Sequence, residues 1–567
     1  MVPRRFASLP HEIRHLIYQA YFTLEDGYAF QPGSGKLAAA DGQPLDLALM
    51  YTCRLIASET KNLPLKHNVV SFSTVYHPEW RSWAGRFDYL LRTQYFMQTH
   101  ILVELGSLGY VTPAIYEEIG GKFPWFVSKL QRAVRSPEQY RTVYSGRYLD
   151  EVVRGRDWTV YGTVMSRERV FWGTSAPRYE LSQAVKFALR LVAQELESGP
   201  VSRSVQPIVG WQGDRKDLLD FLDECFEPWD IPSWSDLEAV GQRLGDEEKW
   251  DRLQLWELDI WKRFNVAHRS KYRFSAAAVA IRFLRHLPDS KRLSLRAITL
   301  REDHIAVGFQ ERHSNGLIPF LQENPRLRIE HRVSMLTNIL QRANIFNDAY
   351  LYKMQADEPD ETDKNFQGNH VFQELSHWSV EALATLDAGM PTGSYSMVID
   401  GGAAMDLCSD IFQQNVQRDG ALIMALETCF PQLPDWVEAD FFDYLDSRAV
   451  KALALLTNET SILRCNFNPG QVWSADKFIK DFKGHEGVSD HGRYELYKKF
   501  SSREDFEYTP PIPLSRWEDL MMDNWESREI LTHRDRREAG IAERDLLPDY
   551  GDVELNRRAR AQFLISG

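Results

Sequence analysis

Four donor side chains fall within one short span, His485, Glu486, Asp490 and His491, and nitrogen and oxygen ligands this close together are the raw material of a metal site. The two histidines are not one helical turn apart, as a helix-borne metal pair requires, and Gly484 and Gly487 mark a polar loop instead. A second group, His304 beside Glu302 and Asp303 with His313 nearby, would supply an acid and a base if the backbone brought them together. Asp400, followed by Gly401 and Gly402, could present a carboxylate at a sheet edge that a ligand can approach closely. The same tripeptide also reads as an ordinary turn. No serine stands in a Gly-x-Ser-x-Gly context, and no Gly-x-x-x-x-Gly-Lys-Ser/Thr phosphate loop occurs. The reading taken is that no residue is catalytic and that no metal or cofactor is bound. An enzyme of unknown reaction built around His304 or Asp400 is the rival.

The elements that would hold these groups are mostly helical up to Pro288. Apolar spacing predicts helices over Phe87–Leu105, Arg178–Glu197, Lys216–Phe226, Trp250–Phe264 and Phe274–Leu287. In the fourth of these, Trp250, Leu253, Trp256, Ile260, Trp261 and Phe264 share one stripe, read as core packing rather than a ligand cage. Beyond Pro288 the texture changes. Leu293–Leu300 and Ile305–Phe309 read as short strands, Gly316–Gln322 and Arg328–Arg342 as helices, and Gln355–Gln367 as an acidic solvated loop. Ser394–Asp400 reads as a strand, and Met405–Phe430 returns to helix. Pro510–Pro513 reads as a stiff connector, and the arginines at 534, 536, 537, 557, 558 and 560 as a solvated helical face.

The expected fold class is α+β, mainly helical and multidomain, because 567 residues exceed one compact core. The divisions expected are an N-terminal helical module over 1–80, a helical domain over 81–287, an α+β domain over 288–467 and a charged region over 468–567. Hydrophobic residues at 43% and charged residues at 26% are ordinary for globular chains, and 16 tryptophans point to aromatic cores. A net charge of −13 repels a phosphate backbone, so nucleic acid is not an expected partner. Cys53, Cys225, Cys408, Cys429 and Cys465 are odd in number and widely spaced, and read as reduced thiols. With no signal-peptide core and no spanning segment, a cytoplasmic or nuclear protein without a membrane partner is expected.

The first residues carry the clearest message. Pro10 suits a first helical turn, Glu12 suits its positive end, and Leu9, Ile13, Leu16, Ile17, Ala20 and Tyr21 recur on one apolar face. Glu25–Pro44 reads as a mobile loop, poor in large apolar groups. A second helix is expected from near Asp46, with Leu49, Cys53, Ile56 and Thr60 on one face and Pro64 past its end. Asn68–Tyr76 then reads as a strand. Burying a large side chain yields only about 1.5 to 3 kcal/mol, so two such short helices need to dock on something larger.

Leu9-Pro10-His11-Glu12-Ile13-Arg14 followed by Thr52-Cys53-Arg54 resembles the F-box-like modules of fungal proteins, over roughly Phe6–Tyr76. Leu295–Arg332, with Ile298-Thr299-Leu300-Arg301-Glu302-Asp303 and Glu323-Asn324-Pro325, looks like a later region of large fungal proteins with such N-termini. The resemblance implies docking on the Skp-type linker subunit of a cullin ubiquitin ligase, with the rest of the chain recruiting an unknown protein target. On it, Leu9, Pro10, Ile13 and Ile17 match the contact-bearing first helix, and Leu49, Cys53 and Ile56 the later one. The chain departs from the family pattern in its long Glu25–Pro44 connection and in lacking an aromatic after Cys53-Arg54. Two other arrangements stay open: both helices burying their faces within this chain, and a scaffold with no ligase link.

Overall fold

Along Arg328–Ser334 every second residue, Ile329, His331 and Val333, is buried, while those between them keep contact with solvent. That period of two is the mark of a strand with one covered face. The computed structural model, which describes residues 6–135, 178–196, 215–244, 257–258, 266–344, 368–429, 447–458, 460–471, 473–483 and 517–529, builds most of its architecture on this pattern. Strands β1 (Tyr28–Gln31), β2 (Lys36–Ala39) and β3 (Val69–Ser73) precede β4 (Glu257–Leu258) and β5 (Val266–Ser270). They are followed by β6 (Ala297–Glu302), β7 (Arg328–Ser334), β8 (Tyr395–Asp400), β9 (Leu463–Cys465) and β10 (Trp525–Glu529). Seven form one sheet in the order β2-β1-β3-β6-β7-β8-β9, and β10-β5-β4 form a small antiparallel one. The protein is a mainly helical α+β chain with a mixed sheet.

From β3 to β9 the strands are parallel and neighbour one another in chain order. Crossovers between parallel strands are right-handed almost without exception. A sheet that always grows in the same direction therefore places all its connecting helices on the same face. That face carries Val70, Phe72, Ile298, Leu300, Ile329, His331, Val333, Met397, Ile399 and Leu463, all buried. Helix Ala276–His286 covers it at one end, with Phe283 5.4 Å from the Phe72 ring, and helix Gly368–Asp387 covers the middle, with Trp378 5.6 Å from His331. The opposite face alternates out of phase, with Arg301, Arg328, Ser73 and Arg464 exposed.

Several expectations change at this level. Arg328–Ser334 is a strand rather than the start of a helix, and the helical turns begin only at Met335, after Ser334 Oγ accepts from Thr337 N. Ile305–Phe309 is a turn, not a strand, with Phe309 at φ 59°. Glu25–Pro44 is not a mobile loop, because it contains the β1–β2 hairpin on the sheet edge, where Phe30 stacks 5.5 Å from Phe72. Glu257–Leu258 are a strand inside the span expected to be the tryptophan-bearing helix, whose other residues lie outside those described. The boundaries expected at residues 80 and 287 fall between strands of one sheet, β3 pairing directly with β6, so they do not separate independent cores.

The helix expected over Phe87–Leu105 runs from Pro78 to Ser107, capped at its start by His77, whose Nδ1 accepts from Glu79 N. Its middle turns are polar yet buried. Asp88 takes Arg92 Nε at 2.8 Å and Gly308 N at 2.9 Å, while the Arg92 guanidinium lies 4.5 Å from the Phe309 ring centre. Charged residues normally mark a solvated face, and here they face protein because each finds a partner.

Candidate docking surface

The first helix, α1 (His11–Phe22), has two faces with different fates. Arg14, Tyr18 and Phe22, four residues apart, are buried. Tyr18 and Phe22 form a small core with Ile56 and Leu63, against which Phe6, Leu47, Leu49 and Met50 pack. Beside it Glu59, on helix α2 (Arg54–Thr60), receives Arg14 through both Nε, at 3.0 Å, and Nη2, and accepts from the Tyr18 hydroxyl at 2.8 Å. The Arg14 hydrogen bond, then that of Tyr18, holds the Glu59 carboxyl well below its ordinary range, at about 2. Asn68 closes the far end. Its Nδ2 donates to the carbonyls of Phe22 and Pro64 at 2.6 and 2.8 Å, and its Oδ1 accepts from Leu24 N at 2.8 Å. The angle of α1 is thus fixed by polar locks at both ends and an aromatic core between.

The other face of α1 is apolar and meets solvent. Ile13 is 44% exposed, Leu16 61% and Ile17 41%, with Tyr21 continuing the same strip and Leu24 exposed just past the helix end. At 100° per residue these side chains span one side of the helix, opposite Tyr18 and Phe22. Further along the chain, Tyr51 is 82% exposed, and Cys53 and Leu55 are exposed too. Soluble proteins scatter single exposed apolar residues freely, but a contiguous strip marks an interaction surface.

Of the residues expected to bind a partner, Ile13 and Ile17 lie on this strip, and Pro10 is exposed at its start, as the residue preceding α1. Leu9 is half-buried, and its carbonyl accepts from Arg14 Nη1. Cys53 is exposed and precedes α2. Ile56 is a correction, since at 7% exposure it belongs to the small core, and Leu49 packs against that core half-buried. The expected single helix face of Leu49, Cys53, Ile56 and Thr60 does not form, because a short turn at Ala48–Tyr51 breaks off at Cys53 and α2 starts anew at Arg54. Leu16, Tyr51 and Leu55 are exposed apolar residues outside that expected set. The Arg14, Tyr18 and Phe22 spacing was the available signal, since a helix needs only one inward face.

The groups weighed for acid–base chemistry do not converge. His313 is buried, its Nε2 donating to the Gly308 carbonyl at 2.7 Å and its Nδ1 2.6 Å from Ser275 Oγ. Burial lowers its pKa. Ser275 in turn caps the helix from Ala276, accepting from Ala278 N at 2.9 Å, so this serine–histidine pair is a helix cap sealed from solvent. Glu302 is fully buried under the same helix end. It accepts from Ala276 N at 3.0 Å, Ala277 N at 2.9 Å and Thr74 Oγ1 at 3.3 Å, with His331 Nε2 3.2 Å away. A carboxylate at a helix N-terminus is a favourable charge placement. His304 turns the other way, its Nε2 2.7 Å from Asp523. Asp400 sits on the opposite sheet face, accepting from Arg332, Asn466 and Gly402 N. His485, Glu486, Asp490 and His491, the proline run and the terminal arginines lie outside the described residues, as does Gln355–Gln367.

No family model, no curated protein and no solved structure matches this chain. Among the described residues no helix is long and apolar enough to cross a membrane.

Proposed function

We propose that this chain is a non-catalytic interaction protein whose N-terminal module docks on the Skp-type linker subunit of a cullin ubiquitin ligase while the remainder recruits a protein target, in the cytoplasm or nucleus. One observation carries the reading: α1 satisfies its fold with Arg14, Tyr18 and Phe22 and still keeps Ile13, Leu16 and Ile17 at the surface. Exposed apolar area raises no stability of the isolated chain, and a partner's groove is where such side chains lose water. The resemblance of Leu9–Arg14 and Thr52–Arg54 to F-box-like modules supplies the identity of that partner. His304, His313 and Asp400, the groups weighed for the enzyme reading, each bond to different partners and do not meet.

A pull-down with purified linker subunit tests this. Ile13→Asp with Ile17→Asp places charge at the centre of the strip, and hot-spot losses of about 2 kcal/mol or more correspond to at least about 30-fold weaker binding. Both positions are exposed, so the thermal midpoint is expected to stay close to wild type. Failure of the folded wild-type chain to bind the linker rejects the proposal.

A further inference from the structure

A second surface is the polar face of the parallel sheet, where Ser73, Arg301, Arg328 and Arg464 are exposed. Its register brings Ser73, Arg301, Arg332, Val398 and Arg464 into one row across five strands, with Val398 buried. The next row holds Ser71, Thr299, Glu330 and Ser396, and Arg328 lies beyond it. Arg332 is already matched, its Nε 2.6 Å from Glu330 and its Nη1 3.1 Å from Asp400. Arg301 and Arg464 are exposed and make no ion pair among the described residues, and Arg328 donates only to the Pro325 and Leu327 carbonyls. Arg301, Arg328, Arg332 and Arg464 therefore outnumber Glu330 and Asp400 on this face, in a chain whose net charge is −13.

We infer that this face binds an acidic segment of a polypeptide, with Arg301 and Arg464 each taking a carboxylate. Calling that polypeptide the ligase target rests on the proposed function, but the binding does not. Three strand spacings separate Arg301 from Arg464, about 14 Å, which matches carboxylates about four residues apart in an extended chain at about 3.4 Å per residue. Arginine is suited to the role because its planar fork takes a carboxylate with two parallel hydrogen bonds. A nucleic acid fits less well, since Glu330 and Asp400 sit among the arginines and would face its phosphates.

The test is selection of a displayed twelve-residue peptide library on the full-length chain, followed by titration of fluorescein-labelled selected peptides. The inference predicts peptides enriched in Asp or Glu pairs about four residues apart, bound at least ten times more weakly by the Arg301→Glu, Arg464→Glu variant. That variant is expected to keep its thermal midpoint and its binding to the linker subunit, so loss of peptide binding is read separately from loss of linker docking. Selected peptides without acidic pairs, equal binding by the variant, or single-stranded RNA binding more tightly than any acidic peptide would each overturn it.

Discussion

Glu59 joins Arg14 and Tyr18 of α1 to α2 in the N-terminal module. Its carboxylate is held near 2 by Arg14 first and Tyr18 second. Because the folded value lies below the ordinary 4.5, the stabilisation is complete above about pH 4.5 and is lost as pH falls toward 2. Protection of the His11–Phe22 amides, measured against the unstructured exchange rate at the same pH, should therefore fall over that window, and Glu59→Gln should show reduced protection already at neutral pH. Unchanged exchange in the variant would show that the aromatic core alone fixes α1. Glu302 is the corresponding residue under the sheet. Substituting Ala there leaves two helix amides and His331 without their acceptor, and a loss of about 3 to 5 kcal/mol in urea unfolding is expected. At this scale the sequence conveyed Ile13 and Ile17 through their period, but the roles of Glu302 and His313 depend on Ala276 and Ser275, which are adjacent to them only in the fold.

Elements were legible where packing followed one simple period. The strand at Tyr395–Asp400, the helix at Ala276–His286 and the helix from Arg178 were readable in this way. Pattern and composition misled elsewhere. Arg328–Ser334 has alternating apolar and polar residues, but a buried histidine at 331 hides the alternation, and the helix that follows shares its apolar content. The helix from Pro78 starts well before Phe87, where its apolar spacing predicts it, and its buried Asp88 is matched by Gly308, a residue far away in the sequence. The β1–β2 hairpin is small and alanine-rich, and its order comes from Phe30 packing on Phe72 and Phe283 rather than from its own composition. Gly27 enables that hairpin to leave α1. It holds φ at +68°, and a Cβ there would stand 2.4 Å from the Val69 carbonyl oxygen. Gly27→Ala is expected to cost about 1 to 3 kcal/mol and to raise proteolytic cleavage within Tyr28–Ala39. Cleavage at the wild-type rate would contradict the close approach.

Across the whole molecule, the governing feature is a sheet that adds strands in one direction. Among the described residues helices crowd one side while the other side is polar, and neither consequence can be seen in any single strand. Successive strands start at residues 297, 328, 395 and 463, so the crossovers vary in length and no fixed repeat is visible in the sequence. The same topology joins the first strands to those after residue 297, which is why the expected boundaries at 80 and 287 cut through one sheet. The result is a chain with two surfaces of different chemistry, an apolar strip on α1 and an arginine-bearing sheet face, each of which the proposals above assign to a partner. The strip is the central claim, and site-directed photocrosslinking tests it most directly. With p-benzoylphenylalanine at position 16, whose leucine is 61% exposed, illumination in the presence of purified linker subunit should give a covalent adduct. The same probe at exposed Ser34 on the hairpin turn should give none. An adduct of equal yield from both positions, or none from position 16 in a folded chain, would contradict docking through α1.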